Sequence, residues 1–207
     1  MTGHFVTLEG GEGAGKSTQA RKLGEWLREQ GEEVVETREP GGTPGADAIR
    51  ALILDPDTPL SALSEAYLFA AARADHVENV IAPAIGDGKW VVCDRFIDSS
   101  LTYQGAAGGL GVERVRAINA DAIGDHMPDL TILLATDVDT GTRRAAQRDG
   151  EQDDRFSVRD AQFHEKVAQA FAELAETEPD RFAVIDASQP IDDVAERIRA
   201  TVRERLL

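Results

Sequence analysis

Eight residues near the start of the chain, Gly10-Gly11-Glu12-Gly13-Ala14-Gly15-Lys16-Ser17, fit the P-loop pattern G-x-x-x-x-G-K-[ST]. The chemistry open to them is anion binding. A glycine-rich turn exposes its backbone N–H groups, an ammonium and a hydroxyl stand at its end, and a helix N-terminus is aimed at the same spot. Such a cradle is sized for a nucleotide di- or triphosphate, with Lys16 on the β- and γ-phosphates and the Ser17 hydroxyl available to Mg2+. The motif alone does not separate a kinase from a GTPase switch or a motor.

Two further groups narrow the chemistry. Asp94-Arg95 closes an apolar run. Its carboxylate can organise metal-bound water or polarise an acceptor, and its guanidinium presents a planar fork of donors to a phosphate. Arg143, Arg144, Arg148 and Arg155 surround the polar stretch Asp149–Asp154. A transferring phosphoryl group spreads charge over its oxygens, and an arginine brought to it by a closing, water-excluding flap would stabilise that charge.

The elements that must hold these groups alternate along the chain. Phe5–Glu9, Glu33–Arg38, Trp90–Asp94, Leu130–Ala135 and Phe182–Asp186 read as strands. Helical patterns occupy Lys16–Gln30, Gly45–Leu54, Ser64–Ile85, Val112–Asp125, Asp139 to about Arg148, about Val158–Glu176, and Pro190 to the C-terminus. Five apolar strands with intervening helices predict an α/β fold: a parallel sheet covered on both faces. No repeat, long linker or low-complexity segment interrupts it, so one domain over residues 1–207 is expected. Ligands of such sheets sit beyond the carboxyl ends of the strands. That directs attention to Glu9 to Ser17, Arg38-Glu39, Asp94-Arg95, Thr136-Asp137 and Ala187-Ser188.

Composition limits the partners. The 207 residues carry 22 basic and 38 acidic side chains, a formal net charge of −16. That surface repels nucleic acid polymers and anionic membranes, so neither is expected as a partner. Basic residues must then be concentrated locally wherever anionic substrates are held. The one cysteine, Cys93, cannot form an intrachain disulfide, and it lies in an apolar strand where a buried structural thiol is expected. Neither a signal-like opening nor an apolar run near the ~20 residues of a membrane span is present, and a cytoplasmic location is expected. His4, His76, His126 and His164 show no metal-ligand spacing. The chain lacks the Asn-Lys-x-Asp guanine-reading element, which argues against a G-protein switch.

Read together, these segments resemble the bacterial thymidylate kinase family. The resemblance is carried by Phe5 to Thr18, by Thr37-Arg38-Glu39-Pro40-Gly41-Gly42-Thr43, by Leu68-Phe69-Ala70-Ala71-Ala72-Arg73, and by Asp94-Arg95-Phe96-Ile97-Asp98-Ser99-Ser100-Leu101-Thr102-Tyr103-Gln104-Gly105. It implies a P-loop kinase fold with a short flap over about 143–157, transfer of the γ-phosphoryl group of ATP to dTMP, Mg2+, and a homodimer. Another nucleoside or nucleoside-monophosphate kinase is the alternative. The resemblance assigns Gly10, Gly11, Glu12, Gly13, Ala14, Gly15, Lys16, Ser17, Thr18, Arg143 and Ser188 to ATP. It assigns Glu12, Glu39, Arg50, Phe69, Arg73, Arg95, Ser100, Tyr103 and Gln104 to dTMP. Arg50 and Arg95 would clamp the acceptor phosphate, Phe69 would stack on thymine, and Arg73, Ser100 and Gln104 would meet the base edges. Tyr103 would close over the deoxyribose. Ser17, Asp94 and Glu39 would serve the metal, Glu39 through water. Gly13 stands where a eukaryotic-like branch carries an arginine. The transfer arginine is therefore expected in the flap, at Arg148 or Arg155, with Arg144 next.

Overall fold

The apolar runs become strands, and the central three are buried nearly throughout. The computed structural model describes residues 3–137, 156 and 159–207. In it β1 (Phe5–Glu9), β2 (Val34–Arg38), β3 (Trp90–Asp94), β4 (Leu130–Ala135) and β5 (Phe182–Asp186) form one parallel sheet in the order β2-β3-β1-β4-β5. The central strands read as near-continuous Val, Leu and Ile because helices cover both faces. On one face α1 (Lys16–Glu29) and α8 (Ile191–Leu206) pack Leu23, Trp26, Leu27, Val194 and Ile198 against Val6, Leu8, Val92 and Ile132. On the other, Phe5, Val91, Cys93 and Leu133 meet side chains of the remaining helices. These are α2 (Pro44–Leu54), α3 (Ala62–His76), α4 (Ala82–Gly86), α5 (Ile97–Ser100), α6 (Val112–Ile123) and α7 (Ala161–Thr177).

Helix boundaries follow local capping. Thr43 and Ser61 accept from the backbone N–H of Ala46 and Ser64, so α2 and α3 start earlier than periodicity suggests. Asp160 accepts from the N–H of Phe163, which starts α7 at Ala161 rather than near Val158. The long helix expected over Ser64–Ile85 is α3 and α4 joined by a π-helical turn at Val77–Ile81. Pro190 is the residue before α8 rather than within it. A helix not expected at all follows β3: α5 continues as a π-helical stretch over Leu101–Ala107. The expected helix from Asp139 to about Arg148 lies outside the described residues, as does the proposed flap apart from Phe156.

Within the second face, a buried polar column replaces apolar packing. Thr7 and Thr131, paired in register across β1 and β4, stand 2.9 Å apart through their hydroxyls. Arg181, just before β5, donates to both oxygens of Asp98 at 2.7 and 2.9 Å, to Thr131 at 2.7 Å, and to Glu178. The Asp98 side chain has no solvent exposure. Breaking such a pair on one side leaves a buried charge uncompensated. Arg181→Ala is therefore expected to lower unfolding free energy by about 3–5 kcal/mol in urea titrations. A loss no larger than that of an exposed arginine would show that Asp98 has another compensating partner.

Candidate active site

The P-loop leaves β1 between its two neighbours, β3 and β4, so every strand-end group of interest converges on it. Gly10 has φ +142, and a Cβ there would stand 2.6 Å from the Leu134 carbonyl oxygen. Gly15, at φ +92, turns the chain into α1. Contact excludes a Cβ at Gly10, and the left-handed backbone favours glycine at Gly15. Lys16 is buried, and its ammonium donates to the carbonyls of Gly10 and Gly11 at 3.2 and 2.7 Å. Burial, and next the neighbouring Arg95 charge, lower its pKa to about 8 against the pull of Glu12, Asp94 and Glu9. Ser17 and Thr18 are exposed at the first turn of α1, and the Ser17 hydroxyl donates to Asp94 Oδ2.

Arg95 joins the P-loop to the far wall. Its Nη1 donates to the Gly10 carbonyl at 3.2 Å and to Ser99 Oγ at 2.9 Å. Its Nη2 donates to Glu12 Oε1 at 2.6 Å and reaches Tyr103 Oη at 3.4 Å. The Tyr103 hydroxyl itself donates to Glu12 Oε1 at 3.1 Å, and the guanidinium lies over the Tyr103 ring at 5.1 Å. Burial opposes the arginine's charge, yet Glu12, Tyr103, Glu9 and Asp94 hold its pKa above the ordinary value. Burial also pushes the Tyr103 phenol up, with Arg95 partly offsetting it. Arg95 sits at φ +69, the one non-glycine residue at positive φ among the described residues. Such strain persists where the surroundings over-determine the backbone. Cys93, the expected buried thiol, donates to the Arg95 carbonyl at 3.0 Å, and burial holds its pKa well up.

A second charged group backs the cleft. The Glu39 N–H donates to the Asp94 carbonyl at 3.0 Å, which ties the ends of β2 and β3 together. Arg73 contacts Glu39 Oε2 through Nε at 2.8 Å and Nη2 at 2.7 Å. His76 Nδ1 lies 3.1 Å from Glu39 Oε1, and its Nε2 2.7 Å from Thr37 Oγ1. A carboxylate oxygen only accepts, so Nδ1 is the donor. Arg73 is 2% exposed and also donates to Asn119 and Ser100, so it stands beneath the cleft rather than in its surface.

The cleft these groups border has a volume near 340 Å3. Of the residues assigned to the acceptor, Glu12, Glu39, Arg50, Phe69, Arg95, Tyr103 and Gln104 line it, while Arg73 and Ser100 lie in the layer behind. Arg50 donates to the Pro40 carbonyl at 2.8 Å, and buried Gln104 donates to Glu65 at 2.9 Å. Phe69 packs edge-on against Phe156 at 5.9 Å, and Tyr103 against Phe156 and Phe163 at 6.1 and 6.0 Å. A separate hollow of about 570 Å3 runs along the other side of the P-loop, from Gly13, Gly15 and Thr18 to Ser188, Gln189 and Pro190. Arg38, Leu54, Ser99 and Phe156 also line the cleft; Arg38 was marked only as a strand-end residue, and none of the four was assigned to a substrate. Arg38 and Ser99 fall in matched segments and could have been found there. Arg143, Arg144, Arg148 and Arg155 lie outside the described residues.

The chain is similar to known proteins over nearly its whole length. The family model described as thymidylate kinase matches residues 8–198. A thymidylate kinase of Rhizorhabdus wittichii is 50% identical over 199 residues, 96% of each chain. One of a Bradyrhizobium species is 48% identical over 206 residues, covering 99% of this chain and 91% of that one. A crystal structure of thymidylate kinase from Ehrlichia chaffeensis superposes with a TM-score of 0.79 at 31% identity, covering 98% of this chain and 99% of that one.

Proposed function

The chain belongs to the thymidylate kinase family, and on that premise we propose which groups of the cleft carry the transfer of the γ-phosphoryl group of ATP to dTMP, giving dTDP. The observation that carries the assignment is the Arg95 guanidinium. It bonds the P-loop through Gly10 and Glu12 and the cleft wall through Ser99, so one cation borders the donor cradle and the acceptor slot together. Bringing two phosphates together forces several negative charges into contact. Lys16, Arg95 and Arg50 offset that repulsion and hold the acceptor oxygen in line with the γ-phosphate. A phosphate oxygen is already a competent nucleophile near neutral pH, so no strong general base is required. ATP lies with its phosphates on the P-loop N–H groups and its base in the hollow beside Ser188 and Pro190. Thymine occupies the slot between Phe69 and Gln104, with the sugar against Glu12 and Tyr103.

Magnesium fits the donor set. It takes hard oxygen ligands and often one or two protein groups plus substrate phosphates. The Ser17 hydroxyl and the Asp94 carboxylate meet beside the P-loop. No cluster of three metal-ligating side chains occurs among the described residues, so substrate phosphates and water would have to complete its shell. The ion would neutralise charge on the β- and γ-phosphates. Glu39, whose oxygens accept from Arg73 and His76, would serve it through water.

The flap arginines complete the assignment, with Arg148 or Arg155 on the transferring group and Arg143 beside adenine. A homodimer is supported by Leu52 on α2 and Tyr67 on α3, 41% and 57% exposed on packed helices. A cytoplasmic location is supported by the single, unpaired Cys93, and no helix among the described residues is long and apolar enough to cross a membrane.

The decisive test is ADP release from ATP across dTMP, dUMP, dCMP, AMP and thymidine. Only dTMP and, more weakly, dUMP are expected to support turnover. One methyl in an apolar pocket is worth about 1–3 kcal/mol, so kcat/KM for dUMP is expected roughly 10–200-fold below that for dTMP. Equal efficiency for the two would remove the methyl from the account of specificity, and a preference for AMP or dCMP would overturn the acceptor assignment.

A further inference from the structure

Glu9 is the last residue of β1, and it has no solvent exposure. It does not line the acceptor cleft. A buried carboxylate so close to a phosphate site needs a reason, because it adds negative charge where anions must bind. Its partners supply one. Oε1 accepts from the backbone N–H of Phe96 at 2.7 Å and of Ser99 at 3.2 Å. Oε2 accepts from the Ser99 hydroxyl at 2.6 Å. Phe96 directly follows Arg95, and Ser99 Oγ is itself an acceptor for Arg95 Nη1.

α5 has no cap of its own: Phe96 precedes it with no side-chain hydrogen bond to the helix. An uncapped helix start leaves its first N–H groups without helical partners, and here a strained residue stands two positions before it. Glu9 caps it from 87 residues away. From below, Arg181 holds Asp98 of the same turn with two bonds. The first turn is thereby held at Phe96, Asp98 and Ser99, directly after the φ +69 of Arg95.

We propose that Glu9 is a positioning residue for the acceptor phosphate: it sets the backbone of Arg95 through the Phe96 and Ser99 amides, and the guanidinium through Ser99 Oγ. This rests on the reading that Arg95 holds the phosphate of dTMP. The two arms are separable. In Glu9→Gln the amide oxygen still accepts the two N–H groups. Its NH2, however, points at a Ser99 hydroxyl that already receives Arg95 Nη1, so that hydroxyl loses its acceptor. Glu9→Ala removes both arms.

The full chain and these variants are assayed at about pH 8, above the value of about 7 to which burial, and next the Asp98 charge, raise Glu9, so that its carboxylate is ionised. Glu9→Gln is expected to raise KM for dTMP about tenfold, the worth of one bond to a charged group, with kcat and KM for ATP within twofold. It keeps native hydrogen exchange at the Phe96 and Ser99 amides, whereas Glu9→Ala accelerates exchange at both and raises KM for dTMP further. In a double-mutant cycle, Glu9→Gln added to Arg95→Ala costs nothing more. Slow exchange at those amides in Glu9→Ala, equal losses toward ATP and dTMP, or additive effects with Arg95→Ala would overturn the role. If exchange accelerates while Arg95→Ala leaves dTMP saturation unchanged, the Arg95 assignment falls instead, and with it the effect on the acceptor, though not the capping.

Discussion

Lys16→Met is expected to lower kcat by about 10²–10³, the cost of removing one preorganised donor from the transferring group, while dTMP binding changes little. The Lys16 ammonium is buried and satisfied by two P-loop carbonyls, so it is held at the cradle rather than swept in from solvent. Such a charge reorganises little when a phosphate arrives, which is the condition under which electrostatic stabilisation is largest. Its lowered pKa, about 8, adds a second signature. A lysine depressed from its ordinary value is charged below that pKa and neutral above it. The profile of kcat/KM for ATP, which reports free-enzyme ionisations, is therefore expected to fall on the alkaline side with a midpoint near 8. The kcat profile is expected to fall later, because bound phosphates favour the ammonium. An alkaline limb that stays at the same pH in Lys16→Arg would show that another group titrates there.

Legibility in the sequence followed the range of the interactions. β1, β3, β4 and the P-loop were readable because strands covered on both faces are near-continuous apolar runs, and because the loop's glycines answer to its own backbone. α5 was not. Asp98, Ser99 and Ser100 compete with a helix for their own backbone groups, and what stabilises the turn is a carboxylate 87 positions earlier. The buried Arg73–Glu39–His76 group was equally opaque in its pairing, since charged residues are seldom buried and nothing local says which ones will be. Phe69, which the resemblance offers as a stacking platform, also packs on the core while lining the cleft. The resemblance named most of the cleft's lining. It did not say that Arg73 and Ser100 would stand behind it, or that Phe156 would close one side against Phe69 and Tyr103.

Arg95→Ala is expected to lower kcat/KM for dTMP by at least about 10³, more than the loss of a single donor explains. The excess comes from Glu12. In the intact site its carboxylate is neutralised by Arg95 Nη2 at 2.6 Å and accepts the Tyr103 hydroxyl. Without the guanidinium, an incompletely compensated carboxylate faces the incoming acceptor phosphate, and repulsion adds to the lost attraction. Arg95→Lys is expected to recover little. The guanidinium divides four acceptors between its two terminal nitrogens, Gly10 O and Ser99 Oγ on one and Glu12 Oε1 and Tyr103 Oη on the other. A single ammonium cannot span that set. The two contributions separate in the double variant Arg95→Ala/Glu12→Gln, measured by steady-state kinetics with dTMP varied. Removing the Glu12 charge is expected to restore about tenfold of the loss if repulsion is the second cause, at a cost to whatever contact Glu12 makes with the sugar. A double variant worse than Arg95→Ala would mean that Glu12 binds the sugar even without its arginine, and that the whole defect of the single variant is lost attraction to phosphate.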